Sequence, residues 1–91
     1  MATKYSAEVT IINQLGLHAR PAAKLAQLCQ QFSSRIELRL QERTADASSV
    51  LALLMLASGK GKSVEVIAEG DDAEAALKAV VQLIASGFEE S

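Results

Sequence analysis

The stretch from Lys4 to Phe32, KYSAEVTIINQLGLHARPAAKLAQLCQQF, changes its hydrophobic period midway, and this change decides the fold. Its first part alternates apolar and polar residues, and a period of two predicts a half-buried strand. The apolar positions of this strand are Tyr5, Ala7, Val9 and Ile11. From Ala19 onward the apolar residues recur at helical spacing, which predicts an amphipathic helix that ends near Ser33. The apolar stripe of this helix consists of Ala22, Leu25, Ala26, Cys29 and Phe32.

Three more strands and two more helices follow this first strand and helix. Alternation predicts strands at RIELRLQ (35–41), ERTADA (42–47) and SVEVIAE (63–69). Helical spacing predicts helices at SSVLALLMLA (48–57) and within GDDAEAALKAVVQLIASGF (70–88). The element order is therefore β-α-β-β-α-β-α. Because the strands alternate cleanly, we expect an α+β fold in which an antiparallel sheet has one dry face, covered by the three helices.

The last predicted helix has recognisable signals at both ends. Asp71 and Glu74 have the spacing of a capping box, which predicts that Asp71 begins the helix. Gly87 is typical of a helix C-terminus. The short acidic tail FEES (88–91) is expected to fray, apart from any packing of Phe88.

Length and composition limit the range of functions. A chain of 91 residues supports a single domain, residues 1–91, with one modest core, and 49% hydrophobic residues argue against intrinsic disorder. A net charge of -2 gives no reason to expect nucleic acid or an anionic membrane as the main partner. The longest apolar run, Val50 to Ala57, is too short to span a bilayer. The single Cys29 fits a reducing, cytoplasmic setting, and nothing in the sequence argues against a monomer.

The transition from loop to first helix gathers three residues that suit phosphate chemistry. His18 is the only histidine and Pro21 the only proline of the chain, and Arg20 lies between them. The first N–H groups of a helix lack intrahelical partners and attract phosphate, and proline is tolerated in the first turn. Arginine binds phosphate oxygens as a planar charged fork, and a neutral imidazole nitrogen is a nucleophile. This pattern predicts a histidine that accepts a phosphoryl group and gives it away.

Other interpretations of His18 stay open on spacing alone. A lone histidine beside a helix start is most often a cap or a surface residue. One histidine and one cysteine do not make a metal site, and no nucleophile elbow supports a hydrolytic triad. The stretch GKGKS (59–63) is not a P-loop, because the position that requires the first glycine, residue 56, is Leu.

The stretch GLHARPAAKL, Gly16 to Leu25, resembles the active-site motif of the histidine-containing phosphocarrier (HPr) family of the bacterial phosphoenolpyruvate-dependent phosphotransferase system. The resemblance covers nearly the whole chain, including SSVLALLMLASGKG (48–61) and SGFEES (86–91), and it is strongest to the nitrogen-related branch of the family. It implies an open-faced sandwich of four antiparallel strands in the order 1-4-2-3, with three helices on one side.

The resemblance also implies roles for three residues and two partners. His18 matches the histidine that carries the phosphoryl group on Nδ1, and Arg20 matches the arginine that assists transfer. Ser49 matches a serine that a dedicated kinase phosphorylates in some bacteria, but its surroundings, DASSVLAL, differ, and such serines are usually caps. The implied donor is a nitrogen-branch enzyme I charged by phosphoenolpyruvate, and the implied recipient is a histidine of a nitrogen-type enzyme IIA. No cofactor is implied beyond the phosphoryl group.

The predicted helix at 48–57 is apolar nearly all round, and we expect Leu53 and Leu56 to pack on the sheet. A short helix on a two-layer fold cannot bury every apolar side chain, and an exposed apolar patch usually marks a partner site. The expected docking surface consists of Leu17, Val50, Leu51, Leu54 and Met55. The plainer alternative is that these residues fill a thin core. Two other functions stay open: a sugar-transport HPr, and a regulatory interaction module that passes on no phosphate.

Overall fold

Four strands form one antiparallel sheet in the order β1-β4-β2-β3. The strands are β1 (Lys4–Thr10), β2 (Arg35–Leu40), β3 (Arg43–Asp46) and β4 (Ser63–Glu69), and the helices are α1 (Ala19–Cys29), α2 (Val50–Met55) and α3 (Ala73–Ala85). This computed structural model describes residues 3–56 and 59–89. The predicted α+β class, the element order and the strand order 1-4-2-3 are confirmed.

The sheet has a dry face and a wet face, as the alternation predicts. β4 lies between β1 and β2, so that Val66 pairs with Ala7 on one side and with Leu38 on the other. The side chains of Val64, Val66 and Ala68 are fully buried. The opposite face carries charged rows, since Glu65 pairs with both Glu8 and Arg39. The helices pack on the dry face, where the largest fully buried side chains are Phe88, Ile11, Leu25, Leu38, Leu53 and Ile84.

Burial along β1 is weaker than the alternation predicts. Ile11, just beyond the strand, is fully buried, but Tyr5 is 37% exposed, and Ala7 and Val9 are half-buried. The physical reason is position, because β1 lies at the edge of the sheet and pairs only with β4.

The end of α1 and the start of α3 differ from the predicted bounds. α1 ends at Cys29 rather than near Ser33, and α3 begins after Asp72, so the predicted capping box at Asp71 is wrong. The Asp72 carboxylate does not cap its own helix. It accepts hydrogen bonds from the backbone N–H of Ser33 and of Ser34, both at 2.9 Å, and from the Ser34 hydroxyl. These bonds turn the chain out of α1 and into β2.

The C-terminal segment folds back onto the core. Gly87, Phe88 and Glu89 all have left-handed backbone angles, with φ of 72°, 58° and 61°. The Phe88 N–H donates to the Leu83 carbonyl at 2.9 Å, and the Phe88 ring is fully buried. Gly87 therefore terminates α3 as predicted, and Phe88 packs. The rest of the tail that was expected to fray, residues 90–91, lies outside the described residues.

Candidate functional site

His18 is the N-cap residue of α1, with φ of -97° and ψ of -168°. Its carbonyl accepts the first helical hydrogen bond, from the Ala22 N–H at 2.9 Å, and its own N–H donates to the Gly16 carbonyl at 3.1 Å. Gly16 has a φ of 66°, which favours glycine. The buried Asn13 amide also donates to the Gly16 carbonyl, at 2.6 Å. The loop thus fixes the backbone of His18 while its side chain stays partly exposed.

The start of α1 has the electrostatic properties of an anion site. The His18 side chain makes no capping hydrogen bond to the first turn, and the first turn contains no acidic residue. Nothing in the helix's own first turn therefore compensates the partial positive charge of the helix N-terminus. Pro21 occupies the third helical position and is buried, which fixes the direction in which the helix leaves the loop.

An open cleft of about 620 Å³ lies at this helix start. The residues that line it include His18, Arg20 and Lys24, together with Ile12, Asn13, Gln14, Leu15 and Glu89. The structure thus brings the predicted His18 and Arg20 to one cleft. Leu15 and Ile12, 71% and 52% exposed, give the cleft an apolar rim.

Two charged residues of the cleft did not belong to the predicted site. The Lys24 ammonium donates to the Phe88 carbonyl at 2.8 Å and lies 3.9 Å from the Glu89 carboxylate. The position of Lys24 has a sequence signal, because a residue four places after Arg20 lies on the same helix face. Glu89 has none, because its place depends on the left-handed turn after α3.

A second surface lies on α2. Leu53 and Leu56 are buried as predicted, whereas Leu51, Leu54 and Met55 are 70%, 40% and 69% exposed. The side chain of Val50 is half-buried against the core. The prediction that Leu17 belongs to this surface is wrong. Leu17 is only 5% exposed and belongs to the core, so its side chain is not accessible to a partner.

The start of α2 is held by polar side chains of the neighbouring residues Asp46, Ser48 and Ser49. The Ser49 hydroxyl accepts from the Ala52 N–H at 3.2 Å, so Ser49 rather than Ser48 is the cap. Ser48 instead donates to the Asp46 carboxylate, from its hydroxyl at 2.6 Å and from its N–H at 2.9 Å. These two hydrogen bonds hold the pKa of the Asp46 carboxyl below its ordinary value.

Comparison with known proteins adds an independent finding. The family model for the PTS HPr component phosphorylation site matches residues 5–86. The chain belongs to the PTS HPr family. It is 52% identical over 91 residues to phosphocarrier protein NPr of Escherichia coli strain K12, covering 99% of each chain. It is 47% identical over 89 residues to phosphocarrier protein NPr of Shewanella violacea, covering 98% of each.

Similarity to a solved structure of the HPr family agrees with this result. The crystal structure of HPr-C-His from Thermoanaerobacter tengcongensis superposes with a TM-score of 0.91 at 40% identity, over 96% of this chain and 98% of that one. The resemblance predicted from GLHARPAAKL and the element order is confirmed. The family match, residues 5–86, runs from within β1 to just beyond α3, so it includes α2 and the cleft residues named above except Glu89.

Three further features of this HPr-family chain concern metal ligands, the cysteine thiol and membrane spans. Within residues 3–56 and 59–89, no group of three or more His, Cys, Asp or Glu could hold a metal ion. Cys29 is buried, and its burial, followed by the nearby Asp46 charge, raises its pKa to about 12. Its thiolate is thus scarce near neutral pH. No helix in these same ranges is long and apolar enough to cross a membrane.

Proposed function

We propose that this HPr-family protein is a phosphocarrier, in which His18 accepts a phosphoryl group from one protein and passes it to a histidine of another. The observation that carries the proposal is the place of His18: it is the N-cap of α1 and it lines a cleft together with Arg20. The nucleophile and the groups that stabilise phosphate therefore come from one turn of chain.

The chemistry requires one bond to form and one to break at each step. The lone pair of the neutral His18 ring, at Nδ1 by resemblance to the family, attacks the phosphorus, and the donor nitrogen leaves with the electron pair of its own N–P bond. In the second step the N–P bond at His18 breaks as the recipient histidine forms its own. The first-turn N–H groups of α1 and the Arg20 guanidinium stabilise the charge on the phosphoryl oxygens.

The proposed donor is a nitrogen-branch enzyme I, charged by phosphoenolpyruvate, and the proposed recipient is a nitrogen-type enzyme IIA. This choice is supported by the two NPr relatives, which are more similar in sequence to this chain than the HPr structure is. The carrier would work in the cytoplasm as a monomeric single domain, and it would need no cofactor besides the transferred group.

The proposed docking surface for both partners is the exposed apolar face of α2: Leu51, Leu54 and Met55. These three residues are exposed without a polar role, and flexible Leu and Met side chains suit a surface that must fit two different proteins. Ser49 would contribute as a cap. A regulatory phosphate at Ser49 is the less favoured role, because its hydroxyl is half-buried and already accepts from the Ala52 N–H.

The test is intact-protein mass spectrometry after incubation with phosphoenolpyruvate and either nitrogen-branch or sugar-branch enzyme I. We expect one added, acid-labile phosphoryl group, mainly with the nitrogen-branch enzyme, and none on the His18→Ala variant. A gain mainly with the sugar-branch enzyme would keep the carrier chemistry and overturn the branch. No gain with either enzyme, from folded protein, would favour a regulatory interaction module instead.

A further inference from the structure

The C-terminal segment supplies a carboxylate to the cleft at His18. Phe88, which is fully buried, anchors the segment, and the next residue, Glu89, lines the cleft. Lys24 holds this segment in place, because its ammonium donates to the Phe88 carbonyl at 2.8 Å and lies 3.9 Å from the Glu89 carboxylate. Among the residues that the structure describes, the cleft thus contains two cations, Arg20 and Lys24, and one anion, Glu89.

The ion pair between Lys24 and Glu89 is weak enough to be displaced. The Glu89 side chain is 73% exposed and the Lys24 side chain 36%, and ion pairs of this exposure contribute little to stability. The hydrogen bond from Lys24 to the Phe88 carbonyl does not involve the Glu89 side chain. If the carboxylate turns away into water, the ammonium therefore stays at the cleft.

We propose that Lys24 is a second cation facing the phosphoryl group, and that Glu89 is its resting counterion, which the incoming phosphoryl dianion displaces. The proposal rests on the phosphocarrier function proposed above and specifies the electrostatics of its site. In the resting protein Glu89 neutralises part of the positive charge of the cleft. When a phosphoryl group enters, the like-charged carboxylate is repelled and Lys24 pairs with the phosphoryl oxygens.

A matched pair elsewhere in the chain serves as the control. Lys78 and Glu74, both on α3, also lie 3.9 Å apart and are both exposed, but neither lines the cleft. Glu89→Gln and Glu74→Gln change the net charge of the protein by the same amount. Lys24→Met and Lys78→Met form the corresponding cationic pair. A difference in rate between the two glutamate variants, or between the two lysine variants, therefore reports the position of the charge and not the total charge.

The experiment uses phosphoramidate, a small donor that phosphorylates histidine without a partner protein. The N–P bond of phosphoramidate breaks, a new N–P bond forms at the ring of His18, and the leaving nitrogen departs as ammonia. Because His18 is the only histidine, the mass gain reports one site, and His18→Ala gives the background. The initial rate is measured at low salt and at 0.5 M salt for each variant.

We expect Glu89→Gln to raise the rate about two- to threefold and Lys24→Met to lower it about threefold, with both effects shrinking at high salt because mobile ions screen exposed charges. Glu74→Gln and Lys78→Met should match the wild type. In the Lys24→Met background, Glu89→Gln should have a smaller effect, since no ammonium then keeps the carboxylate at the cleft. Thermal unfolding of each variant shows whether the fold is kept.

Several results would overturn the proposal. One is an equal rate for Glu89→Gln and Glu74→Gln, and another is an effect of Glu89→Gln that is as large without Lys24 as with it. Lower unfolding temperatures with unchanged rates would make the Lys24 contacts purely structural. If the wild type itself takes no phosphoryl group from phosphoramidate or from enzyme I, the carrier function fails and this proposal fails with it. If the wild type is phosphorylated but the variants match their controls, only this proposal fails.

Discussion

The N-termini of α1 and α2 differ in where their first N–H groups find partners. At α2 the Ser49 hydroxyl accepts from the Ala52 N–H, and the Asp46 carboxylate holds the preceding residue, Ser48. At α1 the N-cap residue is His18, whose side chain makes no capping hydrogen bond. At the start of α2, hydrogen bonds from neighbouring polar side chains have a structural role. The α1 start, whose first turn has no capping side-chain hydrogen bond and no acidic residue, opens into a cleft that an anion can enter.

The largest expected effect comes from removing the α1 N-cap side chain. His18→Ala should abolish phosphoryl acceptance, because no other histidine exists to take its place. The fold should be kept, since the His18 side chain is partly exposed and does not cap the helix. Mass spectrometry with the donor enzyme checks the first statement, and thermal unfolding checks the second. If the variant still gains an acid-labile phosphoryl group, His18 is not the acceptor, and the start of α1 loses the function that distinguishes it from the start of α2.

The next effect concerns the cation beside the histidine. Arg20→Ala should slow phosphoryl transfer about tenfold or more, because a guanidinium stabilises phosphoryl oxygens as a charged fork. Rapid-quench measurement of phosphohistidine formation gives the rate. The control is Arg39→Ala, which removes an equally charged and exposed side chain from the wet face of the sheet. Equal rates for the two variants would leave Arg20 without a role in transfer.

Removing the cap at the start of α2 should lower the stability of the protein and leave phosphorylation unchanged. Ser49→Ala removes the bond to the Ala52 N–H and should lower the free energy of unfolding by about 1 kcal/mol. Ser49→Asn should restore most of this loss, because asparagine is an equally good cap. Urea unfolding measures both, and phosphorylation by phosphoramidate should be the same for all three proteins. If a stably folded Ser49→Ala protein is phosphorylated more slowly, the start of α2 also affects the chemistry at His18, and its role is not purely structural.

The α1 start was predictable because its signals are local. The change of period at Ala19, together with the unique His18 and Pro21, places a loop-to-helix transition within a few residues, and the motif GLHARPAAKL identifies the family. The Ser49 cap of α2 was predictable from an equally local signal, a serine at the start of an apolar helical stretch. Leu17 was misjudged because its burial depends on how the loop before α1 folds onto the core, which no local pattern states.

The features that escaped prediction depend on contacts between distant parts of the chain. α1 ends early because Asp72, far along the chain, binds the N–H groups of Ser33 and Ser34. Glu89 reaches the cleft because two non-glycine residues, Phe88 and Glu89, adopt left-handed angles, a conformation that sequence alone gives no reason to expect. Burial of the Phe88 ring offsets that conformational cost, and burial of this kind is visible only in the folded chain.

The start of α3 sharpens the comparison, because its N-cap side chain also makes no capping hydrogen bond, yet acidic side chains at this helix start disfavour an anion. Its first turn carries Glu74, and the Asp72 carboxylate is occupied by the chain before β2. The hydrogen bond from the Ser34 hydroxyl, followed by that from the Ser33 N–H, lowers the pKa of Asp72. The contact should therefore stabilise the fold in a pH-dependent way.

The sign of this effect follows from the lowered pKa. A carboxyl whose pKa is lower in the folded protein contributes its full stability above the pKa of an unfolded aspartate, about 3.9, and loses it as the pH falls through the folded pKa. Asp72→Asn should therefore unfold at a lower temperature than the wild type at pH 7, and the difference should shrink in acid. Glu74→Gln, which removes an exposed charge from the same turn, is the control. A difference between Asp72→Asn and the wild type that stays constant from pH 7 to pH 3 would mean that the ionised carboxylate is not what joins α3 to β2.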